Sequence, residues 1–347
     1  MALGIINDGA MIIAGAGIIG LSCGWRLAQQ GRRVTIFDSR EVASEASWAG
    51  AGMLAPGGEV EEASPLARMS LRSLLLYPDF VAELSDISGI SIDYQRCGAV
   101  EIALNDAEAE ALEQRAARQS AIGIRSESIT YTGSVTARFF PDDQLVAPRD
   151  VTNALRIACL RAGVSIREHE PVTEVMPDGS GVRTTHGEYR DHDGVLIAAG
   201  AWSSKLRTGL PVTMPVRGHL IAYRIDSGRA DPGRALIGSI LRHKHTYLVQ
   251  RHGGSLIAGA STEYVGFDRA IDEGVVSDIH SRASKLLPEL AALTPAARWN
   301  GFRPGIEGGN PAVGRIEGTA IWTAFGHYRN GILLAPETAR LIAESVG

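Results

Sequence analysis

Residues 12–20 read I-I-A-G-A-G-I-I-G and lie at the centre of a strand, turn and helix pattern near the N-terminus. The apolar run 11–14 predicts a buried parallel strand, and residues 21–30 predict the helix that follows it. The three glycines of the run keep the spacing G-x-G-x-x-G, which indicates a dinucleotide site only between a strand and a helix. Since both flanking elements are predicted, we expect an adenine dinucleotide to bind at this turn.

Each glycine has its own mechanical role in such a turn. Gly15 permits the tight bend, Gly17 lets the backbone approach a pyrophosphate, and Gly20 lets the helix pack closely on the sheet. A second strand is predicted at residues 33–37 and ends at Asp38, 18 positions after the third glycine. That spacing suits an acid that accepts hydrogen bonds from ribose hydroxyls. The alternative, a glycine-rich turn with an incidental acid, is disfavoured because the whole strand, turn, helix and acid unit is present.

Composition bounds the class of protein. The chain has 347 residues, of which 45% are hydrophobic, enough for about two domains with cores of their own. The 34 Lys and Arg against 39 Asp and Glu give a net charge of −5 with no long basic run. This balance argues against nucleic acid or an anionic membrane as the main partner.

The few cysteines and the lack of a long apolar segment point to a setting inside the cell. Cys23, Cys97 and Cys159 are too few and too scattered for a disulfide framework or a Cys-x-x-Cys metal site. No signal-peptide pattern opens the chain, and no stretch reaches about 18 apolar residues in a row. We therefore expect a soluble, cytoplasmic protein without a bound metal.

Beyond the first unit, helical and strand patterns interleave instead of forming two blocks in series. Helices are predicted at residues 66–84 with a break near Pro78, and at 106–120, 150–162 and 331–344. Strands are predicted at residues 99–104, 164–168, 194–198, 219–225, 246–251, 255–260 and 321–325, with a hairpin turn at 252–254.

Seven short segments then occur in a characteristic order. They are residues 15–20, 46–54 (A-S-W-A-G-A-G-M-L), 171–172 (P-V), 199–203 (A-G-A-W-S), 215–218 (P-V-R-G), 301–305 (G-F-R-P-G) and 326–336 (G-H-Y-R-N-G-I-L-L-A-P). Together they resemble the FAD-dependent D-amino acid oxidase superfamily, and within it the bacterial glycine oxidases of thiazole biosynthesis. The second and the last segment are far more specific than the glycine turn.

The resemblance implies an α/β fold in which a Rossmann-like FAD-binding domain is discontinuous and an α+β domain with an antiparallel sheet binds the substrate. The expected FAD-binding domain comprises residues 1–80, 145–217 and 301–347, and the expected substrate domain comprises residues 81–144 and 218–300. By the same resemblance, a small amino acid gives its Cα hydrogen as a hydride to flavin N5 and O2 reoxidises the flavin. A homotetramer is implied as well.

The resemblance also implies which residues contact FAD. Val172 would meet adenine through its backbone, and the helix that begins at Gly331 would direct N–H groups at the flavin pyrimidine edge, where negative charge develops on reduction. The full set of expected cofactor residues is Gly15, Gly17, Ile18, Ile19, Gly20, Asp38, Ser47, Gly52, Met53, Val172, Ala199, Gly200, Trp202, Arg303, His327, Arg329, Asn330, Gly331, Ile332 and Leu333.

Five residues are predicted at the substrate. Arg303 is the candidate carboxylate clamp, because a guanidinium can donate two parallel N–H bonds to a carboxylate. The resemblance places the Tyr247 hydroxyl on the same carboxylate, although an isolated strand tyrosine is more often a packing residue. His245 precedes it by two residues and is expected on the same strand face, lining the same pocket. Arg329 and Met53 are expected to border the substrate and the flavin ring.

Several alternatives stay open at this point. A secondary-amine or N-substituted glycine oxidase or dehydrogenase of the same superfamily is close, and Thr262-Glu263 stands where the compared glycine oxidase has a methionine over the substrate. Sarcosine oxidases would carry a C-terminal flavin-linking cysteine, which is missing after Cys159, so noncovalent FAD is expected. A nicotinamide dehydrogenase would not need residues 326–336. A non-catalytic flavin-fold subunit is disfavoured because the predicted substrate residues are retained.

Overall fold

Helices and runs of consecutive strands make up the part of the chain that the computed structural model describes, residues 9–190, 192–225 and 236–347. The first eight residues and residue 191 of the expected FAD-binding domain, and residues 226–235 of the expected substrate domain, lie outside it. The described helices are α1 (Ile18–Gln29), α2 (Ala46–Ala49), α3 (Pro56–Glu59), α4 (Pro65–Ser88), α5 (Asp106–Ser120), α6 (Pro148–Arg161), α7 (Glu273–Leu286) and α8 (Gly331–Val346), with 3-10 turns at Gly200–Lys205 and Pro288–Ala292.

The described strands are β1 (Ala10–Ala14), β2 (Arg33–Phe37), β3 (Met53–Leu54), β4 (Tyr94–Gln95), β5 (Ala99–Ala103), β6 (Glu127–Ile129), β7 (Thr136–Phe140), β8 (Gln144–Val146), β9 (Ser165–Arg167), β10 (Val172–Val175), β11 (Val182–Thr184), β12 (Gly187–Tyr189), β13 (Gly194–Ile197), β14 (Thr213–Arg224), β15 (Ile240–His243), β16 (Thr246–Gln250), β17 (Ser255–Gly259), β18 (Ala297–Ile306), β19 (Ala312–Arg315) and β20 (Ile321–Phe325).

A six-stranded sheet with the order β19-β20-β13-β1-β2-β9 holds the glycine turn. Its neighbours pair in parallel except at the β19 edge. Every residue of β1 is buried, because the two faces of the sheet are both covered. Ile13 packs under helices α1, α4, α6 and α8, while Ile12 packs against the small β10-β11-β12 sheet. The predicted Rossmann-like α/β architecture is confirmed.

An eight-stranded sheet with the order β18-β14-β17-β16-β15-β5-β7-β6 forms the second framework. Its pairs are antiparallel apart from β15 with β5. Apolar residues on one face, among them Ile221 and Leu248, pack against Ile279 of α7. On the other face, Leu220 and Tyr247 belong to a separate cluster, as the period-2 alternation of strands requires. The predicted antiparallel sheet is therefore present.

Two expectations from the sequence need correction. The predicted break at Pro78 is wrong, since α4 continues through it from Pro65 to Ser88. The neighbouring Tyr77 and Phe80 are fully buried in the core formed with the other helices, so tertiary packing holds the helix together across the missing N–H. Helix α1 begins three residues earlier than predicted, because Gly17 is its N-cap.

A long strand pair lies at one edge of the eight-stranded sheet. β14 pairs with β18 from Thr213 opposite Ile306 to Ala222 opposite Ala297. The expected domain boundaries after residues 217 and 300 thus fall inside paired strands, and the division into two domains stays a prediction. No helix among the described residues has the length and apolar character needed to cross a membrane.

Candidate active site

A cavity of about 500 Å³ lies between the two sheets and is lined by residues of both. The six-stranded sheet contributes the glycine turn and Asp38, and the eight-stranded sheet contributes Gly218, Leu220 and Tyr247. The strand pair β14 and β18, at one edge of the eight-stranded sheet, brings Arg303 to the same space. The cavity therefore lies where the nucleotide turn and the predicted substrate residues meet.

The glycine turn is built as its spacing predicts. Gly15 has φ +113°, a conformation that a residue with a side chain rarely adopts, and a Cβ there would overlap the carbonyl of Ala198. A Cβ at Gly20 would overlap the Gly15 carbonyl, so Gly20 serves close packing of α1 on the turn and does not line the cavity. Gly17 and the two isoleucines after it do line it.

The N-terminus of α1 is open toward the cavity. Its N-cap residue is a glycine without a side-chain cap, and no acid lies in the first turn. Only the Ile18 N–H has a side-chain partner, the Ser47 hydroxyl at 3.0 Å. A helix N-terminus of this kind favours an anionic ligand such as a pyrophosphate.

Asp38 lies at the end of β2, beside the turn. Its carboxylate accepts hydrogen bonds from the N–H of Ala16 at 2.7 Å and of Arg40 at 2.9 Å. Burial raises the pKa of Asp38 above its ordinary value, against the effect of these bonds. Each carboxylate oxygen keeps a second lone pair, so the side chain can accept from ribose hydroxyls as well. Val172 lines the same cavity.

The C-terminal segment supplies a second open helix N-terminus. α8 begins at Gly331 with no acid and no side-chain cap in its first turn, and the residues from Asn330 to Ile332 line the cavity. Leu333, also expected at the cofactor, is instead a core residue and does not line it. Nε2 of His327 lies 3.0 Å from the Thr338 hydroxyl. Burial lowers the pKa of His327 to about 3, so the imidazole is neutral at pH 7.

Arg303 and Tyr247 lie together at the cavity. Arg303 donates from Nη1 to the carbonyl oxygen of Ser261 at 3.0 Å. A Cβ on Gly218 would lie 2.5 Å from Nη2 and 2.6 Å from Cζ, so the guanidinium lies directly against that glycine. Tyr247 is 7% exposed, and its hydroxyl oxygen would lie 2.5 Å from a Cβ on Gly259. Burial lowers the pKa of Arg303 and raises that of Tyr247; both groups keep their protons at pH 7.

Arg329 borders the cavity in an ion pair that the sequence did not indicate. Its Nε and Nη2 lie 3.2 and 3.0 Å from Oε1 of Glu59 in α3. Burial opposes the charge, but the carboxylate outweighs it and raises the pKa of Arg329. Glu59 itself lines the cavity. In the sequence it is one of three acids between residues 59 and 62, and only the short helix that starts at Pro56 distinguishes it.

His245 is the predicted substrate residue that the structure does not bring to the cavity. β15 ends at His243 and β16 begins at Thr246, so His245 lies in the turn between them and is exposed. Lys244, with φ +51°, reverses the chain there. Strand alternation does not extend through such a turn, which is why the expected shared face with Tyr247 was wrong.

The remaining predicted residues all line the cavity: Gly15, Gly17, Ile18, Ile19, Asp38, Ser47, Gly52, Met53, Val172, Ala199, Gly200, Trp202, Tyr247, Arg303, His327, Arg329, Asn330, Gly331 and Ile332. The Trp202 ring stacks on Phe267 with a centroid distance of 4.7 Å. Within the described ranges, no group of three or more His, Cys, Asp or Glu side chains could hold a metal ion.

Two open helix N-termini, a carboxylate for the ribose and a guanidinium beside a tyrosine hydroxyl converge on one cavity. This set fits FAD, because its pyrophosphate and its flavin ring each need N–H donors at such ends. The arrangement defines a dinucleotide-dependent oxidoreductase with an anion site next to its cofactor.

Comparison with known proteins specifies the class. Residues 11–345 match the DAO family, FAD dependent oxidoreductase, and the chain belongs to this family. It is 33% identical to a glycine oxidase of Geobacillus kaustophilus over 96% of this chain and 92% of the relative. It is also 33% identical to the bifunctional protein ThiO/ThiG of a Synechocystis strain, over 97% of this chain and 51% of that protein.

A solved structure agrees with these relatives. The crystal structure of the Geobacillus kaustophilus glycine oxidase has a TM-score of 0.91 to this chain at 32% identity, and the match covers 98% of this chain and 95% of that one. The chain is thus an FAD-dependent amino acid oxidase. The family resemblance, the enzyme class and the FAD cofactor expected from the sequence are confirmed.

Proposed function

We propose that the enzyme oxidises glycine, with sarcosine and small D-amino acids as further candidate substrates, to the 2-oxo acid, ammonia or amine, and hydrogen peroxide. The observation that carries this proposal is the guanidinium of Arg303 beside the Tyr247 hydroxyl in the cofactor cavity. One Arg303 nitrogen is held by the Ser261 carbonyl, which leaves N–H donors for a carboxylate. The glycine oxidases at about 30% identity support the choice of glycine.

Each protein group has a role in binding and orientation. Arg303 and Tyr247 would hold the amino acid carboxylate, so that the Cα–H bond is directed at the flavin. FAD, when bound, would supply the redox chemistry, namely a hydride acceptor for the Cα hydrogen whose electrons can pass on to O2. Arg329, neutralised by Glu59, would border the substrate without repelling its ammonium form as strongly as a free arginine does. Met53 supplies an apolar wall.

Proton transfer needs little from the protein in this proposal. The substrate amine would react in its neutral form, and the guanidinium of Arg303 cannot serve as a base because it stays protonated. His327 is neutral at pH 7, but its Nε2 is occupied by Thr338. The protein therefore contributes geometry and charge, while the cofactor contributes the redox chemistry.

An anaerobic flavin-bleaching screen tests the proposal. Purified yellow enzyme would be mixed with glycine, sarcosine, D-alanine, D-proline and larger N-substituted glycines, and loss of the flavin band would be recorded. We expect glycine to bleach the flavin and admitted O2 to restore it with formation of hydrogen peroxide. Bleaching by N-substituted glycines alone would favour the secondary-amine alternative, and no bleaching by any small amino acid would refute the proposal.

We also propose that FAD is bound noncovalently, since no cysteine follows Cys159 in the chain. Acid precipitation is expected to release the yellow colour into the supernatant. Colour retained in the precipitate would contradict this proposal. A homotetramer and a cytoplasmic location remain expectations from the family resemblance.

A further inference from the structure

A polar network lies next to the substrate clamp and outside the catalytic cavity. Its centre is Glu263, whose side chain is 16% exposed, and its donors include Arg217 and His219, whose side chains are 5% and 0% exposed. Neither Glu263 nor these donors lines the cavity. A largely shielded carboxylate with so many partners has a defined orientation.

The two carboxylate oxygens of Glu263 have different partners. Oε2 accepts from Nε and Nη2 of Arg217 at 3.2 and 2.7 Å. Oε1 accepts from the Ser261 hydroxyl at 2.6 Å and lies 2.8 Å from Nδ1 of His219. Because the Asp272 N–H donates to Nε2 of His219 at 3.2 Å, the proton of the neutral imidazole belongs on Nδ1, where it donates to Glu263. Each oxygen is therefore satisfied twice.

The Arg217 charge is balanced on its other side as well. Nη1 of Arg217 lies 2.8 Å from Oδ2 of Asp268 and also donates to the carbonyls of Asp268 and Ala270. Burial opposes ionisation of Glu263, but its hydrogen bonds outweigh it, and the pKa of Glu263 lies below its ordinary value. The network is a charged assembly held in one arrangement.

Ser261 connects this network to the clamp. Its hydroxyl donates to Glu263 and accepts from the backbone N–H of His219 at 2.7 Å, so the side chain is held by two hydrogen bonds. Its carbonyl oxygen is the acceptor for Nη1 of Arg303. In addition, the backbones of Arg217 and Glu263 exchange two N–H bonds of 2.9 Å each. Glu263 is thus bonded, through its side chain and its backbone, to the segment that carries the Ser261 carbonyl.

Thr262 does not replace the methionine that the compared glycine oxidase has over the substrate. Thr262 is exposed and does not line the cavity. Its neighbour Glu263 points into the protein, toward the residues that hold the clamp. What this segment contributes to substrate binding is therefore its Ser261 carbonyl.

We infer that Glu263 is a positioning residue for the substrate carboxylate, acting through the Ser261 carbonyl on the guanidinium of Arg303. This inference rests on the proposed function, in which Arg303 binds that carboxylate. A clamp that is free to rotate must lose side-chain freedom when it binds, whereas one held in place has already lost it. Glu263 would thus lower the substrate KM and leave the flavin untouched.

Glu263→Gln is the main test, because it keeps the size of the side chain and removes its charge. The glutamine amide nitrogen carries only N–H donors, so it would face donors of the network where a carboxylate oxygen accepted from them. Acetate, a carboxylate that lacks the amino group needed for oxidation at Cα, is titrated against the yellow holoenzyme by flavin absorbance. We expect acetate Kd and glycine KM to rise about tenfold, the size expected when a charged hydrogen bond is lost, with kcat within about twofold. FAD affinity should be unchanged.

A double-mutant cycle separates positioning from general structural support. The lysine ammonium of Arg303→Lys lacks the planar guanidinium that the Ser261 carbonyl orients. Arg303→Lys alone should therefore weaken acetate binding, and adding Glu263→Gln to it should raise the acetate Kd little further. Equal losses in both backgrounds would contradict action through Arg303. Glu83→Gln is the matched control, because it removes a carboxylate paired with Arg26 at the surface of α4. Its acetate Kd and glycine KM should equal those of the wild type.

The possible failures point to different errors. If wild type binds neither acetate nor glycine, the proposed function is wrong and the inference falls with it. If wild type binds both and Glu263→Gln binds them equally well, only the inference is wrong. Loss of FAD by Glu263→Gln would likewise contradict it. Should Glu263→Gln not fold, Ser261→Ala decides, because it removes only the hydroxyl; a KM unchanged from wild type would overturn the inference, and a two- to fivefold rise would support it.

Discussion

The guanidinium of Arg303 lies directly against Gly218, so even the smallest side chain there would displace it. A Cβ would lie 2.5 and 2.6 Å from Nη2 and Cζ, too close for van der Waals contact. We predict that Gly218→Ala raises the glycine KM by about tenfold or more, since the clamp must leave its hydrogen bond to Ser261. Steady-state kinetics with a parallel FAD titration measure this effect.

A glycine with free space around it provides the control for that change. Gly253 lies in the hairpin between β16 and β17, and a Cβ there would meet nothing within 4 Å. Gly253→Ala should therefore keep the wild-type KM. An unchanged KM in Gly218→Ala would show that Arg303 does not need its present position to bind substrate.

Removal of the clamp itself should have a larger effect. Arg303→Ala deletes the donors proposed for the substrate carboxylate, and loss of a buried charged partner costs about 2–5 kcal/mol, at least about 30-fold in binding. We predict a KM increase of that order with an intact flavin spectrum. If the variant loses its flavin instead, Arg303 belongs to the cofactor site and the assignment is mistaken.

At the scale of elements, the first turn of α8 depends on α4. Pro336 lacks an N–H, so the carbonyl of Ile332 has no partner in its own helix. The Tyr77 hydroxyl donates to that carbonyl at 2.6 Å. Ser73 bridges the next turn by donating to the Leu333 carbonyl at 2.6 Å and accepting from the Glu337 N–H at 3.2 Å. Helix α4 thus fixes the N-terminus that faces the cofactor cavity.

Tyr77→Phe tests this dependence. The substitution leaves the Ile332 carbonyl buried and unpaired, and we predict a loss of about 1–3 kcal/mol in the free energy of unfolding, together with weaker FAD binding. Urea unfolding and a flavin titration measure the two effects. Tyr264→Phe is the control, because that ring is 73% exposed. Equal stability of the two variants would mean that the helix end does not need Tyr77.

Elements were predictable where local pattern and structure agree. The buried run of β1, the glycine turn and the start of α8 each follow from short-range chemistry, and the family motifs located Arg303 and Tyr247. Long-range contacts made by backbone atoms leave no comparable pattern in the sequence. Nothing in the sequence indicates that the Ser261 carbonyl holds the clamp, and Glu59 resembles the acids beside it. These features depend on long-range packing, as does the continuity of α4 through Pro78.

At the scale of the whole molecule, the cavity is lined by residues of both sheets. Ligand binding and protonation at its wall therefore change the free energy of unfolding of the whole chain. His327 belongs to that wall and is 3% exposed. Bound FAD should add to stability, because it binds the folded chain alone. The effect of protonation is therefore cleaner in FAD-free protein.

His327 should make the FAD-free protein sensitive to acid. Burial lowers its pKa from 6.5 to about 3, so between those values the unfolded chain binds a proton and the folded chain does not. The contribution of neutral His327 to the free energy of unfolding is therefore fully present above pH 6.5. It falls by about 1.4 kcal/mol for each pH unit below that, or by about 2 kcal/mol between pH 6.5 and pH 5. His327→Gln, which can still bond to Thr338, should remove this part of the dependence of the free energy of unfolding on pH. Urea unfolding of both proteins at pH 7 and pH 5 measures it, since all other titrating groups are common to the two. The same fall in stability in both proteins would show that His327 is not held neutral by the fold.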